Sequence, residues 1–246
     1  MNKIVRKVIV IPSYKETLAL PEMLAELKIH LQATDAILIM DDSPEFVATQ
    51  IDGLCEQALG DCVASYHFIN HQGKSGRGSA VRRGMEYSLS TFPSLEFIIE
   101  CDADGSHRPI DIARVKESKC RSHMLVGSRY LHESRIVGWP TSRKIFSKTL
   151  NFIVPRLLGV KLSDITNGLR RYSAEAAREI ISQPQKNTGF IYLSEQALII
   201  SKRGLEIAEL PIEFIDRTQG TSTVTWREIV ASVHGVSVLA KQKIMN

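Results

Sequence analysis

Short apolar runs rich in β-branched residues alternate with segments of helical spacing in the first half of the chain. The runs that predict strands cover residues 7–12, 36–42, 63–69, 95–102 and 123–130. Between them, apolar side chains recur three to four residues apart, as in Leu20, Met23, Leu24, Leu27 and Leu31. This alternation predicts an α/β fold with a doubly wound, mostly parallel sheet and helices on both faces.

Polar residues follow each of the first four predicted strands. The segments after these strands read PSYKE, DDSPE, NHQGKSGRG and DADGSH, and they carry Glu16, Asp42, Lys74, Asp102 and Asp104. In doubly wound sheets, ligands bind beyond the carboxyl ends of the strands. We therefore expect these five side chains to converge on one rim of the sheet.

Asp102 and Asp104 are carboxylates only one residue apart, and two interpretations fit them. Each would raise the pKa of the other unless a cation lay between them. Alternatively they form a polar turn that closes the strand, since Asp104-Gly105 is a strong turn signal. The pair alone does not separate a cation site from a turn.

The Gly-rich segment GKSGRG suggests a phosphate-binding loop, but its spacing does not match the known types. The pattern G-x-x-x-x-G-K-[ST] is absent, and no G-x-G-x-x-G follows the first strand. These absences argue against a P-loop nucleoside triphosphatase and a dinucleotide oxidoreductase.

Composition places the chain among ordinary globular proteins. It has 246 residues, of which 43% are hydrophobic and 24% charged, and no apolar run reaches the roughly 18 to 20 residues that cross a bilayer. The N-terminus has too short an apolar stretch for a signal peptide, so a cytoplasmic location is expected. The four cysteines form no C-x-x-C pair, which favours reduced core thiols.

Charge is distributed unevenly along the chain. Residues 1–104 carry 9 Lys and Arg against 15 Asp and Glu, whereas residues 105–246 carry 22 against 12. A basic second part favours an anionic partner, for which nucleic acid, phosphorylated ligands and membrane surfaces are the candidates.

Several blocks resemble, in the same order, family 2 glycosyltransferases of the GT-A fold. The blocks similar to the nucleotide-sugar half are VIVIPSYKE, IMDDSP, GKSGRGSAVRRGM and ECDADGSH, the last containing the D-x-D motif. The later blocks LVGSRY, SRKIFSKTLNFI, SDITNGLRRYS and IAELPIEFIDRTQGTS resemble polyprenol-phosphate (dolichol-phosphate) mannosyltransferases. This resemblance implies a single GT-A domain over 1–246, with a nucleotide-sugar half at 1–106 and an acceptor half at 107–246.

On the donor side, the resemblance implies that Pro12, Tyr14 and Glu16 line the nucleoside pocket. Asp42 would contact the nucleoside from the second strand end, and Lys74 would lie close to the nucleotide. The donor implied is a nucleotide-diphosphate sugar, but neither the sugar nor the base follows from the sequence, because pocket shape selects both.

The D-x-D resemblance also implies a divalent cation and the residues that hold it. Asp104, with help from Asp102, would bind Mg²⁺ or Mn²⁺, the hard cations that carboxylate oxygens suit. Relatives often carry Gln where this chain has Ser106, so Ser106 is a shorter candidate ligand. Together with Arg217, the two aspartates are the predicted catalytic residues.

The basic half matches positions that contact the lipid phosphate or the donor diphosphate in this family. These positions are Arg129, Arg143, Ser147 and Arg217, and the block SDITNGLRRYS adds Arg170 and Arg171 as weaker candidates. Guanidinium groups suit phosphate because they stay charged and present a bidentate fork.

A lipid phosphate acceptor would need no catalytic base, because it is already anionic near neutral pH. An alcohol acceptor would need one, and Glu195 is the candidate, although it could instead orient the acceptor or the donor sugar. His107 is expected to make a structural contact.

Membrane contact is expected at the surface. The segment from Arg143 to Leu158 places Phe146, Leu150, Ile153, Val154, Leu157 and Leu158 on one side, with basic residues beside them. This pattern fits a helix lying in a membrane interface and equally a helix packed on the sheet. The C-terminal run 226–244 predicts a docked core helix.

These observations and the resemblance together predict an inverting, metal-dependent transfer of a hexose to a polyprenyl phosphate at the cytoplasmic membrane face. The resemblance to mannosyltransferases implies mannose as the hexose and GDP-mannose as the donor. Two alternatives stay open. One is a family 2 transferase that uses a UDP-sugar and a glycan hydroxyl. The other is a nucleic-acid or anionic-membrane binding protein without catalysis, although aromatic residues are not interleaved with the arginines as a base-stacking surface requires.

Overall fold

The computed structural model describes residues 4–189 and 191–216. The strands are β1 Lys7–Ser13, β2 Asp35–Asp41, β3 Ser65–Asn70, β4 Phe97–Glu100, β5 Met124–Ser128, β6 Arg135–Val137, β7 Arg170–Ser173, β8 Ile207–Pro211 and β9 Glu213–Ile215. The α-helices are α1 Ala19–Leu27, α2 Glu45–Leu59, α3 Arg77–Thr91, α4 Pro109–Glu117, α5 Thr141–Leu158, α6 Ala174–Ser182 and α7 Tyr192–Lys202. Arg217 and the predicted helix at 226–244 lie outside the described residues.

Seven strands form one sheet in the order β3-β2-β1-β4-β7-β5-β8. The pairs among β1 to β4 and the pair β5–β8 are parallel, and β7 runs antiparallel between β4 and β5. β6 and β9 form a separate parallel pair. The five predicted strands and the mostly parallel sheet are confirmed, whereas β7, with the sequence RRYS, had no apolar run to predict it.

Helices cover both faces of the sheet, as predicted, and alternate strand residues enter two cores. In β1, Val8 and Val10 pack in the core that includes residues of α3, α5, α6 and α7. Ile9 and Ile11 pack in the core that includes residues of α1, α2 and α4. β2 is buried along its whole length, which is typical of a parallel strand covered on both faces.

The strand order reverses at β1, whose neighbours are β2 and β4. Such a switch point is where a doubly wound sheet opens a crevice for a ligand. The ladder with β4 ends at Val10 opposite Glu100, while β1 continues to Ser13. Pro12 therefore lies beyond the last β1–β4 pair, on the side of the sheet where Asp102 follows β4.

α5 divides the apolar residues predicted on one side between two environments. Val154 and Leu158 are core residues, so they are not available to a membrane. The exposed large apolar side chains of this helix are Ile145, Phe146, Phe152, Ile153 and Leu157. Over residues 4–189 and 191–216, the helices are too short or too polar to cross a bilayer.

Candidate active site

The segments that follow β1, β2 and β3 are joined by hydrogen bonds. The Asp42 amide donates to the Ser13 carbonyl at 3.0 Å, and the Lys15 amide donates to Ser43 Oγ at 2.8 Å. The Ser75 amide donates to Asp42 Oδ2 at 2.9 Å. Together with the segment after β4, these segments (13–16, 42–45, 71–77 and 102–107) are called the strand-end rim below.

The Asp42 carboxylate is occupied by groups of the protein. Oδ2 accepts from the Ser75 hydroxyl at 2.6 Å as well as from its amide, and Oδ1 accepts from Arg83 Nη2 at 2.6 Å. Asp42 is also buried. It therefore ties the second segment to the third and to α3, and its contact with a nucleoside stays a prediction.

Tyr14 lies on the rim with two lysines over its ring. The Nζ atoms of Lys15 and Lys74 are 5.3 and 5.2 Å from the ring centroid, within the range of cation–π contacts. Lys15 and Gln72 have φ of 61° and 50°, the positive values among described non-glycine residues. Strained backbone of this kind clusters at ligand sites, and the local positive charge suits an anionic ligand. Glu16 is half-buried beside these residues.

The segment DADGSH is a turn, and it also carries the predicted carboxylates. Gly105 has φ of 74°, which a glycine adopts without strain. The Ser106 amide donates to Asp104 Oδ1 at 3.0 Å. Arg77 Nε donates to Asp102 Oδ1 at 2.8 Å, which joins this segment to the one after β3. The predicted convergence of four strand ends is thus present in the structure.

Arg77, which sequence reasoning missed, bridges two carboxylates at the end of β4. Its Nη1 donates to the fully buried Glu100, and Tyr172 and Tyr192 donate their hydroxyls to the same carboxylate. Burial alone would raise the pKa of Asp102, but its surroundings, with the Arg77 guanidinium as the main contributor, together hold that pKa below its usual value. Burial likewise would lower the pKa of Arg77, and the two carboxylates raise it instead.

His107 holds the backbone of the D-x-D turn. Its Nδ1 accepts from the Asp102 amide at 3.1 Å, and its Nε2 is 2.9 Å from Asn167 Oδ1. Since Oδ1 can only accept, Nε2 carries the proton and the ring is the neutral tautomer. The side chain is fully buried, so it is a structural contact, as expected.

Arg129 is paired with a carboxylate that sequence reasoning missed. Its Nε and Nη2 donate to Asp164 at 2.7 and 2.8 Å, and Nη2 also donates to Thr166 Oγ1. Its guanidinium carbon lies 5.2 Å from the ring centroids of both Trp139 and Phe214. Burial would raise the pKa of Asp164, but Arg129 lowers it overall. The predicted contact of Arg129 with phosphate stays a prediction.

Trp139 links Arg129 to the next predicted arginine. The guanidinium carbon of Arg143 is 4.1 Å from the Trp139 centroid, and its Nη1 donates to Asp216 at 3.0 Å. Ser147, one turn further along α5, accepts from the Tyr130 hydroxyl at 2.6 Å. The indole nitrogen of Trp139 is buried without a hydrogen-bond partner in the described part of the chain. Two guanidinium groups therefore share one aromatic ring.

Arg170 and Arg171 serve the fold. Arg170 donates to the backbone carbonyls of Ile165, Asn167 and Leu193. Arg171 donates to those of Val115, Ser118 and Cys120. Both side chains are fully buried, so neither is a phosphate ligand.

Glu195 holds a loop. Its carboxylate accepts from the amides of Lys186 and Asn187 at 3.1 Å and from Asn187 Nδ2 at 2.9 Å. The carbonyl of Thr188, in the same loop, accepts from the Gly78 amide at the start of α3. Glu195 thus holds, with both of its oxygens, the loop that contacts the start of α3 next to the strand-end rim.

The oxygen atoms around the D-x-D turn suit a hard cation. Arg77 occupies Asp102 Oδ1, while Oδ2 is 3.6 Å from His107 Nδ1. Ser106 Oγ is buried and has no hydrogen-bond partner among the described residues. In the described ranges no three His, Cys, Asp or Glu side chains cluster as a metal site. Asp102 Oδ2 and the Asp104 carboxylate are the oxygens that would hold a Mg²⁺ or Mn²⁺ ion, and such an ion would take its further oxygen ligands from a substrate.

Comparisons with known proteins give matches over most of the chain. Glycosyl transferase family 2 matches residues 8–181. An undecaprenyl-phosphate mannosyltransferase of Micrococcus luteus is 30% identical over 89% of this chain and 88% of its own length. A polyprenol monophosphomannose synthase of Mycolicibacterium smegmatis is 30% identical over 91% and 83%, respectively. A mannosyltransferase of Pyrobaculum calidifontis, solved with GDP-Man and Mn²⁺, has a TM-score of 0.65 over 96% of this chain and 64% of that one, at 13% identity.

Replacing Asp164 by Asn should reduce stability in a pH-dependent way. The substitution leaves the buried Arg129 charge without its carboxylate, which costs about 3–5 kcal/mol at pH 7. Because the pKa of Asp164 in the folded protein lies below the usual aspartate value of 3.8, its contribution is complete above about pH 4 and is lost as the pH falls through the folded pKa. Urea unfolding of both proteins from pH 7 to pH 3 measures this. An exposed control, Asp61→Asn, should show no difference, and a pH-independent gap for Asp164→Asn would contradict the assignment.

Proposed function

The chain belongs to glycosyl transferase family 2 and has the GT-A fold, and on this basis we propose that it transfers mannose from GDP-mannose to a polyprenyl phosphate. The reaction would use Mg²⁺ or Mn²⁺ and invert the anomeric carbon. Membership of a glycosyltransferase family sets aside the interpretation as a nucleic-acid binding protein without catalysis.

The observation that carries the proposal is the pair of guanidinium groups at Trp139. Arg129 and Arg143 lie 5.2 and 4.1 Å from its ring centroid. Phe214, which packs on Trp139 at 5.4 Å, forms a β-bridge with His107 of the D-x-D turn. These contacts connect the two guanidinium groups to the turn that carries Asp102 and Asp104, and guanidinium groups there suit an acceptor that is itself a phosphate.

The sugar and nucleotide are proposed from the relatives. Of the two relatives at 30% identity, one is named an undecaprenyl-phosphate mannosyltransferase and the other a polyprenol monophosphomannose synthase. The structure solved with GDP-Man supports the fold alone at its level of identity. A UDP-sugar donor with a glycan hydroxyl acceptor is the alternative.

The proposed chemistry is a single displacement. An oxygen of the acceptor phosphate forms a bond to C1 of the sugar while the bond from C1 to the diphosphate breaks, and its electron pair leaves with the nucleoside diphosphate. The divalent cation, when bound by Asp102 and Asp104, would stabilise the charge on that leaving group. Arg129, Arg143, Ser147 and Arg217 would bind and orient the phosphates.

The phosphate acceptor also agrees with the position of Glu195. A hydroxyl acceptor would need a base, whereas both oxygens of Glu195 accept hydrogen bonds from the 186–187 segment. No proton has to leave a phosphate nucleophile. The chain can therefore perform the proposed step with the cations and dipoles of the site.

On the donor side, we propose that Pro12, Tyr14 and Glu16 line the nucleoside pocket. Lys74 is a residue of the strand-end rim, and its ammonium group lies over the Tyr14 ring. It would contact the diphosphate there. Ser106, with its buried and unpartnered Oγ, would take the position that Gln occupies in relatives.

We also propose that α5 rests on the membrane that holds the acceptor. Ile145, Phe146, Phe152, Ile153 and Leu157 are each 44–61% exposed on this helix. Exposed Lys148 and Arg156 lie among them and suit anionic headgroups, which is the pattern of an interfacial helix. Arg143 is on the same helix, so lipid contact would bring the acceptor phosphate to it.

Asp104→Ala should abolish metal-dependent donor binding and leave the fold intact. The side chain lies on a turn at the rim and adds little to the core, and it is one of the two predicted cation ligands. Calorimetry with Mn²⁺ and GDP-mannose checks this, with exposed Asp61→Ala as the control. Undiminished binding in Asp104→Ala would return the segment to a simple turn.

Arg143→Ala should weaken the use of polyprenyl phosphate roughly 10- to 150-fold, the equivalent of about 1.5–3 kcal/mol for one charge-assisted hydrogen bond. Donor binding should barely change. Transfer of radiolabelled mannose to polyprenyl phosphate is measured for this variant, with exposed Arg178→Ala as the control. Glu195→Gln is measured in the same way and should keep measurable turnover. Loss of activity in Glu195→Gln with normal transfer in Arg143→Ala would favour the hydroxyl acceptor.

Replacing Phe146, Ile153 and Leu157 together by Ser should weaken binding to phosphatidylglycerol vesicles by roughly tenfold or more, since each side chain would lose apolar burial in the membrane. A matched control replaces Ile29 and Phe46, which are more exposed but lie on other elements. Vesicle cosedimentation compares them, and circular dichroism verifies folding. Equal binding by both variants would exclude this face as the membrane contact.

A further inference from the structure

The end of β4 concentrates negative charge within five residues. Glu100, Asp102 and Asp104 follow one another at alternate positions, and the first of them is fully buried. Like charges this close, partly removed from water, destabilise one another unless a cation intervenes. Arg77 donates to both Glu100 and Asp102, so the protein supplies one compensating charge itself.

The position of the Arg77 guanidinium is fixed on several sides. It lies 5.5 Å from the ring centroid of Tyr192. A Cβ on Gly168 would overlap Nη2 of Arg77, and a Cβ on Gly78 would lie 2.7 Å from the Tyr192 ring. The fold thus keeps two positions free of side chains where the arginine and its aromatic neighbour pack. This arrangement holds both Arg77 contacts with Asp102 on the same oxygen, Oδ1, at 2.8 and 2.6 Å.

We propose that Arg77 is a positioning residue for the cation site, one that retains Asp102 Oδ1 and leaves Oδ2 as the oxygen that Asp102 can offer to a cation. The inference rests on the proposed metal-dependent function. Asp104 then becomes the principal protein ligand. The Arg77 charge also opposes a bare divalent cation, so the site accepts the ion together with the negative charge of a nucleoside diphosphate.

This role has a signature that a merely structural residue lacks. Without Arg77, Asp102 can turn both oxygens toward a cation and the local repulsion disappears. Free Mn²⁺ should therefore bind more tightly, while the Mn²⁺–diphosphate complex should be held less productively. A residue that only stabilises the fold would weaken both kinds of binding together.

The first test variant is Arg77→Met combined with Glu100→Gln, which removes one charge of each sign. Net charge is unchanged, and the fully buried Glu100 carboxylate is removed together with its partner. The second is Gly168→Ala, which displaces the guanidinium without removing it. The matched controls are Lys116→Met with Asp35→Asn, a fully buried ion pair between α4 and the start of β2, and Gly53→Ala, where a Cβ meets nothing within 4 Å.

Electron paramagnetic resonance titration measures the binding of Mn²⁺ alone, and calorimetry measures Mn²⁺ with GDP. In both test variants we expect Mn²⁺ alone to bind about tenfold more tightly and Mn²⁺–GDP binding or turnover to fall about 10- to 100-fold, the usual range for residues that orient metal ligands. Both controls should match the wild-type protein in these measurements.

Unchanged binding of Mn²⁺ alone, or parallel weakening of both measurements in variants that keep their melting temperature, would overturn the inference. If the double variant fails to fold, Gly168→Ala decides the question. Failure of the wild-type protein to bind Mn²⁺–GDP would count against the proposed function, whereas the titration with Mn²⁺ alone would still decide the role of Arg77.

Discussion

The site depends on one electrostatic constraint, the accumulation of carboxylates where β4 leaves the sheet. Glu100 is inside the protein and Asp102 follows it on the rim, so a positive charge has to be supplied there. Arg77 supplies it from the first residue of α3, and the same ion pairs join the segment after β3 to the segment after β4. Breaking a buried pair of this type costs about 3–5 kcal/mol. The geometry of the D-x-D turn is therefore inseparable from the position of α3.

A second set of contacts connects the D-x-D turn to the basic second half of the chain. Asn167 forms a hydrogen bond with His107 of the D-x-D turn. Asp164, three residues before Asn167 in the chain, accepts a hydrogen bond from Arg129. A single loop between α5 and β7 thus orients one residue of the predicted donor side and one of the predicted acceptor side. Both side chains are thus oriented by contacts of the protein itself, as preorganised electrostatic catalysis would require.

Much of the fold and part of the site could be predicted from local pattern. Apolar runs separated by helical spacing are a property of neighbouring residues, and they predicted β1 to β5 and the parallel sheet. The convergence of Asp42, Lys74 and Asp102 followed from the rule that parallel strands end at one edge. The missed features are those without a local signature. β7 consists of two arginines, a tyrosine and a serine, and it is a strand because β4 and β5 pair with it on both sides.

By itself, the sequence determined the order of the first five strands, the helical segments between them and the carboxylates at the strand ends, because these depend on side-chain type and spacing. The candidate phosphate-binding arginines followed from the family resemblance. Only the tertiary structure decided which charges are paired. In the folded chain Arg77 pairs with Asp102, Arg129 pairs with Asp164, and the Glu195 carboxylate accepts hydrogen bonds from a loop. Folding also divides α5 into a core face with Val154 and an exposed face with Phe152. The physical reason is that ion pairs join residues as far as 110 positions apart in the chain, and the free energy of a charge depends on those neighbours rather than on adjacent sequence.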